Sequence, residues 1–357
     1  MTEIDKEPDP CSSTARSDLF SSHFSFTMDC SPFLNWSEEE LVSNREKAIV
    51  FRSLAATLKI QPALDVSVEA KAVAFLESVD PQHAEAADDF LGSLASSSDD
   101  YSTNFVQCIV ILISSPSQVI TTATMKMMDN LFFWCSPNIR LALVKADLLP
   151  QLITTLNPQS LSFTEAVDIH INLMNVVTFF LWLAAPKGLE DLKIQDDNKQ
   201  RAVSEAVFQQ VLAPSEQYIG LLCINRYSII DGELSRLFLA LLAQILRISP
   251  YHQATMEFVL NLPVLLTIPS CLTLFEHELS IWNFLYIVNH LQREWNKTRV
   301  EIRQMGKIAL RMLRQEGIED VMEEKLQHHN TASYGEWIVV RSIEWNNLQG
   351  INLPKQE

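Results

Sequence analysis

Glycine is scarce in this chain of 357 residues, which has only eight glycines, and the closest two, Gly306 and Gly317, are 11 positions apart. No glycine pair can therefore form the phosphate-binding loops GxGxxG or GxxxxGK[ST], and the GxSxG turn that presents a catalytic serine is missing as well. Folds rich in sheet and tight turns usually need more glycine than this. The shortage favours a helical protein.

The six cysteines are also uninformative as a motif, because they are scattered and contain no CxxC pair. Four of them lie inside apolar stretches, where cysteine is usually a small buried hydrophobe. The strongest apolar run, residues 173–185, is shorter than the about 20 residues that cross a bilayer, and the N-terminus lacks a signal-peptide pattern. We expect no membrane association and a cytoplasmic location, with the nucleus as an alternative.

Positive charge is the third shortage. The net formal charge is −17, and the segment 72–124 contains no Lys or Arg but seven Asp or Glu. Binding to nucleic acid requires a basic face opposite the phosphates. We therefore expect no nucleic-acid partner.

What the chain does contain is a recurring leucine–proline signature. Residues 146–156 read ADLLPQLITTL and residues 259–269 read VLNLPVLLTIP, each at the same distance behind a Ser-Pro step, with a constant offset of 113. A second spacing of 42 residues relates Pro116 to Pro158 and Asn130 to Asn172. Armadillo and HEAT units have periods of about 40–47 residues. Pro150, in the first copy, is expected in the first turn of a helix, where its missing N–H costs nothing.

The segment LVKADLLPQLITTLNP resembles the start of the third helix of an armadillo repeat, whose usual pattern is small, Gly, small, Ile, Pro, any, Leu. Asp147 replaces the glycine, and Asp adopts the left-handed conformation more readily than most residues. The whole chain also resembles a large group of armadillo-type proteins of flagellate protists, in the stretches NWSEEELVSNREKAIVFRSLAATL, NRYSIIDGE and SPYHQATMEFVLNLPVLLTIPS. The resemblance implies an all-α, right-handed α-solenoid of armadillo-like repeats, and it implies no activity.

Proline, charge and capping signals divide the chain into five segments. Two capping boxes, Ser37 with Glu40 and Ser162 with Glu165, are expected to open helices. The segments are a disordered acidic, Ser-rich tail (1–31), an N-terminal helical cap (32–92), a polar linker (93–103), an armadillo-like repeat array (104–326) with an inserted loop (187–200), and a C-terminal helix and tail (327–357).

No residue pattern predicts catalysis, a cofactor or a metal site. The only His-Glu step, His277-Glu278, lacks the second histidine of a zinc-protease helix. His170 lies among apolar residues and is expected to be a satisfied core or groove histidine. Core packing is likewise the expectation for six aromatic residues: Phe132, Phe133, Trp134, Phe179, Phe180 and Trp182.

One constellation suggests binding. Residues 293–314 hold seven basic and two acidic residues, and on a helix six of the basic residues fall on one side, opposite an apolar side. This basic stripe consists of Arg293, Lys297, Arg303, Lys307, Arg311 and Arg314. It is open to three interpretations: a solvated face, a docking ridge for an acidic peptide, or a contact with another copy or with the chain's own tail.

A groove is the other candidate site. Armadillo carriers of nuclear cargo display a ladder of Trp and Asn one turn apart, which this sequence lacks, but Asn130 and Asn172 remain candidate groove residues. We therefore expect a non-catalytic interaction scaffold or adaptor that binds a partner protein or an acidic peptide. A regulatory subunit that positions an enzyme or a cytoskeletal partner is the alternative, and an enzyme without a recognisable motif is the third possibility.

Overall fold

The computed structural model describes residues 29–37, 43–95, 100–156, 163–184, 190–194, 196–224 and 232–247. Over these ranges the chain is helical and contains no strand, which confirms the all-α class. The helices are α1 (Ser31–Asn35), α2 (Asn44–Ile60), α3 (Val66–Ser78), α4 (Ala84–Gly92), α5 (Tyr101–Ile113), α6 (Gln118–Trp134), α7 (Pro137–Lys145), α8 (Leu148–Leu156), α9 (Phe163–Leu181), α10 (Asp197–Val207), α11 (Ala213–Ile224) and α12 (Gly232–Arg247). A 3₁₀ turn (Trp182–Ala184) follows α9, and a π-helical segment (Phe208–Leu212) joins α10 to α11.

Short polar side chains begin several helices by accepting a hydrogen bond from a backbone N–H of the first turn. The capping box of α2 is formed by Ser43 and Glu46. The predicted boxes at Ser37/Glu40 and Ser162/Glu165 involve positions outside the described residues. Asp100 caps α5 by accepting from the N–H of Thr103 at 2.9 Å. Because α5 begins at Tyr101, the last residues of the expected linker 93–103 are helical.

The proline and aspartate predictions around α7 and α8 agree with the structure. Pro137 is the first residue of α7, and Pro150 lies in the first turn of α8. Asp147, between the two helices, has a φ of 56°. This left-handed residue turns the chain sharply enough for α8 to follow α7 directly.

The loop expected over 187–200 is shorter than predicted at its C-terminal end, because α10 begins at Asp197. Lys193 has a φ of 53° and ends a short turn before α10. Residues 1–28 and 248–357 lie outside the described residues, and they hold most of the predicted tail 1–31, the last part of the predicted array 104–326 and the whole predicted segment 327–357. They include the second copy of the leucine–proline signature and the whole basic stripe.

Helices that are three elements apart pack against each other. Helices α3, α6, α9 and α12 contact one another in sequence, and so do α2, α5, α8 and α11. These two sets, here called the first and second layers, enclose the apolar core. A row of phenylalanine rings crosses it at centroid separations of 5.1–6.0 Å: Phe51 of α2, Phe105 of α5, Phe132 of α6 and Phe180 of α9. Ring pairs of this kind stabilise a core by about 0.5–1.5 kcal/mol beyond their buried area.

Two contacts define the register between α6 and α9. The side-chain amide of Asn175 donates to Asp129 at 3.0 Å, across 46 residues, and the rings of Phe133 and Phe179, one turn later on each helix, lie 6.0 Å apart. The two helices therefore run in the same direction. The register of 46 is four residues longer than the predicted spacing of 42, which is about one helical turn.

Candidate functional site

The outer side of the first layer exposes one stripe of residues on each helix. On α6 the exposed or half-buried positions recur every three or four residues, as a surface stripe should. They include Val119, Thr122, Lys126, Asp129 and Phe133, and the adjacent Gln118, Asn130 and Trp134 are also exposed or half-buried. Lys126 reaches Glu77 of α3 at 3.9 Å, and both side chains are more than half exposed. We call this surface of α3, α6, α9 and α12 the outward face.

A side-chain hydrogen bond joins α6 to α9 on the outward face. Asp129 is half-buried, and burial raises the pKa of its carboxyl, while the hydrogen bond from Asn175 lowers it. The candidate groove residues Asn130 and Asn172 are half-buried residues of the same two helices, α6 and α9. The two candidates therefore lie on neighbouring helices, and the side-chain hydrogen bond between these helices is made by Asp129 and Asn175.

The C-terminal ends of α6 and α9 form an aromatic–arginine cluster. It consists of Phe133, Trp134, Arg140, Phe179 and Trp182. The guanidinium carbon of Arg140 lies 5.5 Å from the ring centroid of Phe179 and 5.8 Å from that of Trp182. Phe133 and Trp134 are in edge contact at 5.0 Å. Cations within about 6 Å of an aromatic ring are attracted by its electron-rich face.

Helix α7 holds Arg140 in the cluster. The N-terminus of α7 is fixed by Asp88 of α4, whose carboxylate accepts the N–H of Ser136 at 2.8 Å. A carboxylate at this position also interacts favourably with the helix dipole. Arg140 follows one turn later, and its Nη2 donates to the carbonyl of Phe133 at 3.3 Å.

Arg140 has unused hydrogen-bonding capacity. Its Nε is buried without a hydrogen-bond acceptor, although the guanidinium also interacts with the thiol of Cys135. Within the described part of the chain the ion pairs are Lys126 with Glu77 and Arg236 with Glu233, so no described carboxylate pairs with Arg140. A half-buried guanidinium in this situation can bind a carboxylate or phosphate in a bidentate manner.

The expectation that all six aromatic residues fill the core is correct for Phe132 and Phe180, which are buried, and wrong for Phe133 and Trp134. Phe133 is 59% exposed and Trp134 is 38% exposed. The helical phase carries the signal that the sequence prediction missed, since Phe133 follows Lys126 and Asp129 at intervals of seven and four residues. Residues in phase with charged positions lie on the surface of a helix.

Other polar groups in the interior are engaged in structural contacts. The Nδ1 of His170 lies 2.6 Å from the hydroxyl of Tyr218. Burial lowers the pKa of His170 to about 4. His170 is therefore a buried core histidine, and its Nδ1 has a hydrogen-bond partner. Burial also raises the thiol pKa to about 12 for Cys108 and about 11 for Cys135, so neither is a reactive thiolate at neutral pH.

A half-open cleft between α2 and α4 has an apolar floor that includes Phe90. Two of its polar groups serve the fold. Lys47 donates to the carbonyl of Ser78 at 2.5 Å, and the Nδ1 of His83 caps α4 by accepting from the N–H of Ala86 at 3.1 Å. The cleft therefore has fewer available polar groups than its composition suggests.

The described residues contain neither a metal site nor a membrane span. Among the residues with described positions, no group of three or more His, Cys, Asp or Glu side chains could hold a metal ion. No helix in the same ranges is both long and apolar enough to span a bilayer. Comparisons with protein-family models, with curated proteins and with solved structures each returned no match. The predicted basic stripe lies outside the described residues, so the outward face is the candidate site that the structure provides.

Proposed function

We propose that this chain is a non-catalytic interaction scaffold, built as an armadillo-like α-solenoid, that binds a partner protein on its outward face. The architecture is supported by the contacts between every third helix and by the register of 46 residues between α6 and α9. The contact pattern fits units of three helices, and the register of 46 residues fits a period of about 40–47 residues. Arrays of this kind present long surfaces that suit partner binding.

The exposed aromatic–arginine cluster is the observation that carries the proposal. Binding interfaces of soluble proteins are enriched in Trp, Phe, Tyr and Arg, and these residues dominate binding energy when they lie at the centre of an interface. Here Phe133 and Trp134 remain exposed beside the stacked guanidinium of Arg140. The polar pairs Lys126–Glu77 and Asp129–Asn175 continue the same surface across three helices.

An acidic partner is part of the proposal. Arg140 provides the cationic position within the described residues, and the basic stripe at 293–314 would provide a second one at the other end of the sequence. Isolated surface ion pairs contribute only about 0–1 kcal/mol. Affinity would therefore depend on several charges together with the aromatic surface, and it would decrease with salt.

The proposal is tested by affinity capture from native lysate, followed by measurement of binding between each captured protein and the purified chain. The variant Thr122→Arg/Lys126→Glu changes the middle of the outward face. The control Lys199→Glu/Arg201→Glu changes two exposed cations of α10. We expect at least one direct complex that the face variant weakens by on the order of tenfold and the control leaves unchanged. Finding no direct complex, or equal loss in both variants, would contradict the proposal.

A further inference from the structure

We propose that the aromatic–arginine cluster is the anchor point for a partner peptide in which a carboxylate lies next to a large apolar side chain. This inference rests on the proposed function and specifies the partner chemistry at one end of the outward face. Three observations support it: the charge of Arg140, the exposure of the aromatic side chains beside it, and the position of Arg140 on α7 next to the end of α6.

The carboxylate is inferred from Arg140. Its guanidinium is held against the rings of Phe179 and Trp182, its Nε is buried without an acceptor, and no carboxylate within the described ranges forms an ion pair with it. A partly buried charge without a counter-charge is costly. A partner carboxylate would reduce that cost, because the planar guanidinium can donate two parallel hydrogen bonds to it.

The apolar side chain is inferred from Phe133 and Trp134. Their rings meet edge to face at 5.0 Å, and both remain exposed to solvent. Phe133 is connected to Arg140 through its carbonyl, which accepts from Nη2 at 3.3 Å. Because the apolar surface and the cation lie side by side, a single short peptide can contact both.

A peptide fits this site better than a second copy of the chain. A two-fold symmetric contact would bring the same surface of both copies together, and two Arg140 guanidinium groups would then face each other. Each copy also carries a net charge of −17, so two whole copies repel each other more strongly than the chain repels a short peptide with a single carboxylate. An acidic peptide would instead complement the local positive charge.

The test selects peptides from a random 12-residue library displayed on phage against the full chain. Enriched sequences are synthesised with a fluorescent label, and Kd is measured by fluorescence anisotropy. We expect enriched peptides to combine Asp or Glu with a neighbouring Phe, Trp, Leu or Ile. Arg140→Met should weaken binding by on the order of tenfold or more, and Arg140→Lys should weaken it less, because lysine keeps the charge but loses the planar fork.

Two controls separate the anchor from general charge and general hydrophobicity. Lys145→Met removes an exposed cation from the same helix, α7, and Ile60→Ser removes a 58% exposed apolar side chain from the C-terminal end of α2. Both variants should bind as the wild type does. A Glu→Gln or Asp→Asn change in the peptide should weaken binding to the wild-type chain as much as Arg140→Met does. The same peptide change should not weaken binding to the Arg140→Met variant further, as in a double-mutant cycle. If Arg140→Met does not fold by circular dichroism, Arg140→Lys and the peptide change still provide the test.

Several results would overturn the inference. One is enrichment of peptides without a carboxylate, and another is equal weakening of peptide binding by Lys145→Met and Arg140→Met. A third is binding that appears only after residues 1–28 are deleted, and a fourth is a dimer of the chain that Trp134→Ala abolishes. If peptides or partners bind wild type and Arg140→Met alike, the inference fails but the scaffold function stands. If neither peptides nor proteins bind the chain directly, the proposed function itself fails.

Discussion

At the scale of single residues, a guanidinium and a carboxyl in the described part of the chain each bury an atom that has no hydrogen-bond partner: Arg140 at Nε and Glu216 at Oε1. Their consequences differ. The Nε of Arg140 is a hydrogen-bond donor, so it can be satisfied only by an acceptor. Glu216 can instead become neutral by taking up a proton, and burial raises its pKa to about 7.

Glu216 therefore makes stability depend on pH. Between its ordinary pKa of 4.5 and about 7 the folded chain keeps a proton that the unfolded chain loses, so this group lowers stability as the pH rises through that window. We expect Glu216→Gln to stabilise the protein above pH 7 by about 1–2 kcal/mol, discounted for partial exposure, and to have little effect near pH 4. Urea denaturation at both pH values measures the difference. The exposed Glu190→Gln is the control, and equal stabilisation at both pH values would contradict the explanation.

Residue-level predictions from sequence were accurate where local chemistry decides the outcome. The left-handed Asp147 and the first-turn Pro150 depend on backbone preferences that operate within a few residues. Phe133 was misassigned because its exposure depends on which side of α6 faces α3 and α9. That information lies in contacts between distant residues, and composition cannot supply it.

At the scale of elements, α7 connects the core to the candidate site. It contacts α5, α8 and α9, its N-terminus is bound by Asp88, and its second turn carries Arg140. Positioning of the guanidinium therefore depends on a hydrogen bond that joins residues 48 positions apart. The sequence did not identify Asp88 as the anchor of α7, because no local pattern links α4 to α7.

We expect Asp88→Asn to destabilise the protein by about 1–2 kcal/mol, because it weakens a charge-assisted hydrogen bond and removes a negative charge from the helix N-terminus. Partner affinity should fall with it, since α7 would hold Arg140 less firmly. Urea denaturation together with peptide anisotropy measures both effects. The neighbouring exposed Asp89→Asn is the matched control, and similar losses in the two variants would show that Asp88 has no special role.

At the scale of the whole molecule, the described helices of each of the two layers contact the third helix along the chain. The sequence predicted a spacing of 42 residues, whereas the contacts between α6 and α9 follow 46. A shift of one turn keeps the same side of each helix facing its neighbour, so sequence identities alone do not distinguish the two registers. Only the side-chain contacts between α6 and α9 decide between them.

Hydrogen–deuterium exchange on the full chain, with and without a directly binding partner or selected peptide, tests most directly the claim that the outward face binds partners. Binding should slow exchange at the C-terminal ends of α6 and α9 and at the start of α7, residues 129–140 and 175–182, because a bound partner suppresses local opening there. Protection confined to the second layer, α2, α5, α8 and α11, with no change in those two segments, would contradict the claim.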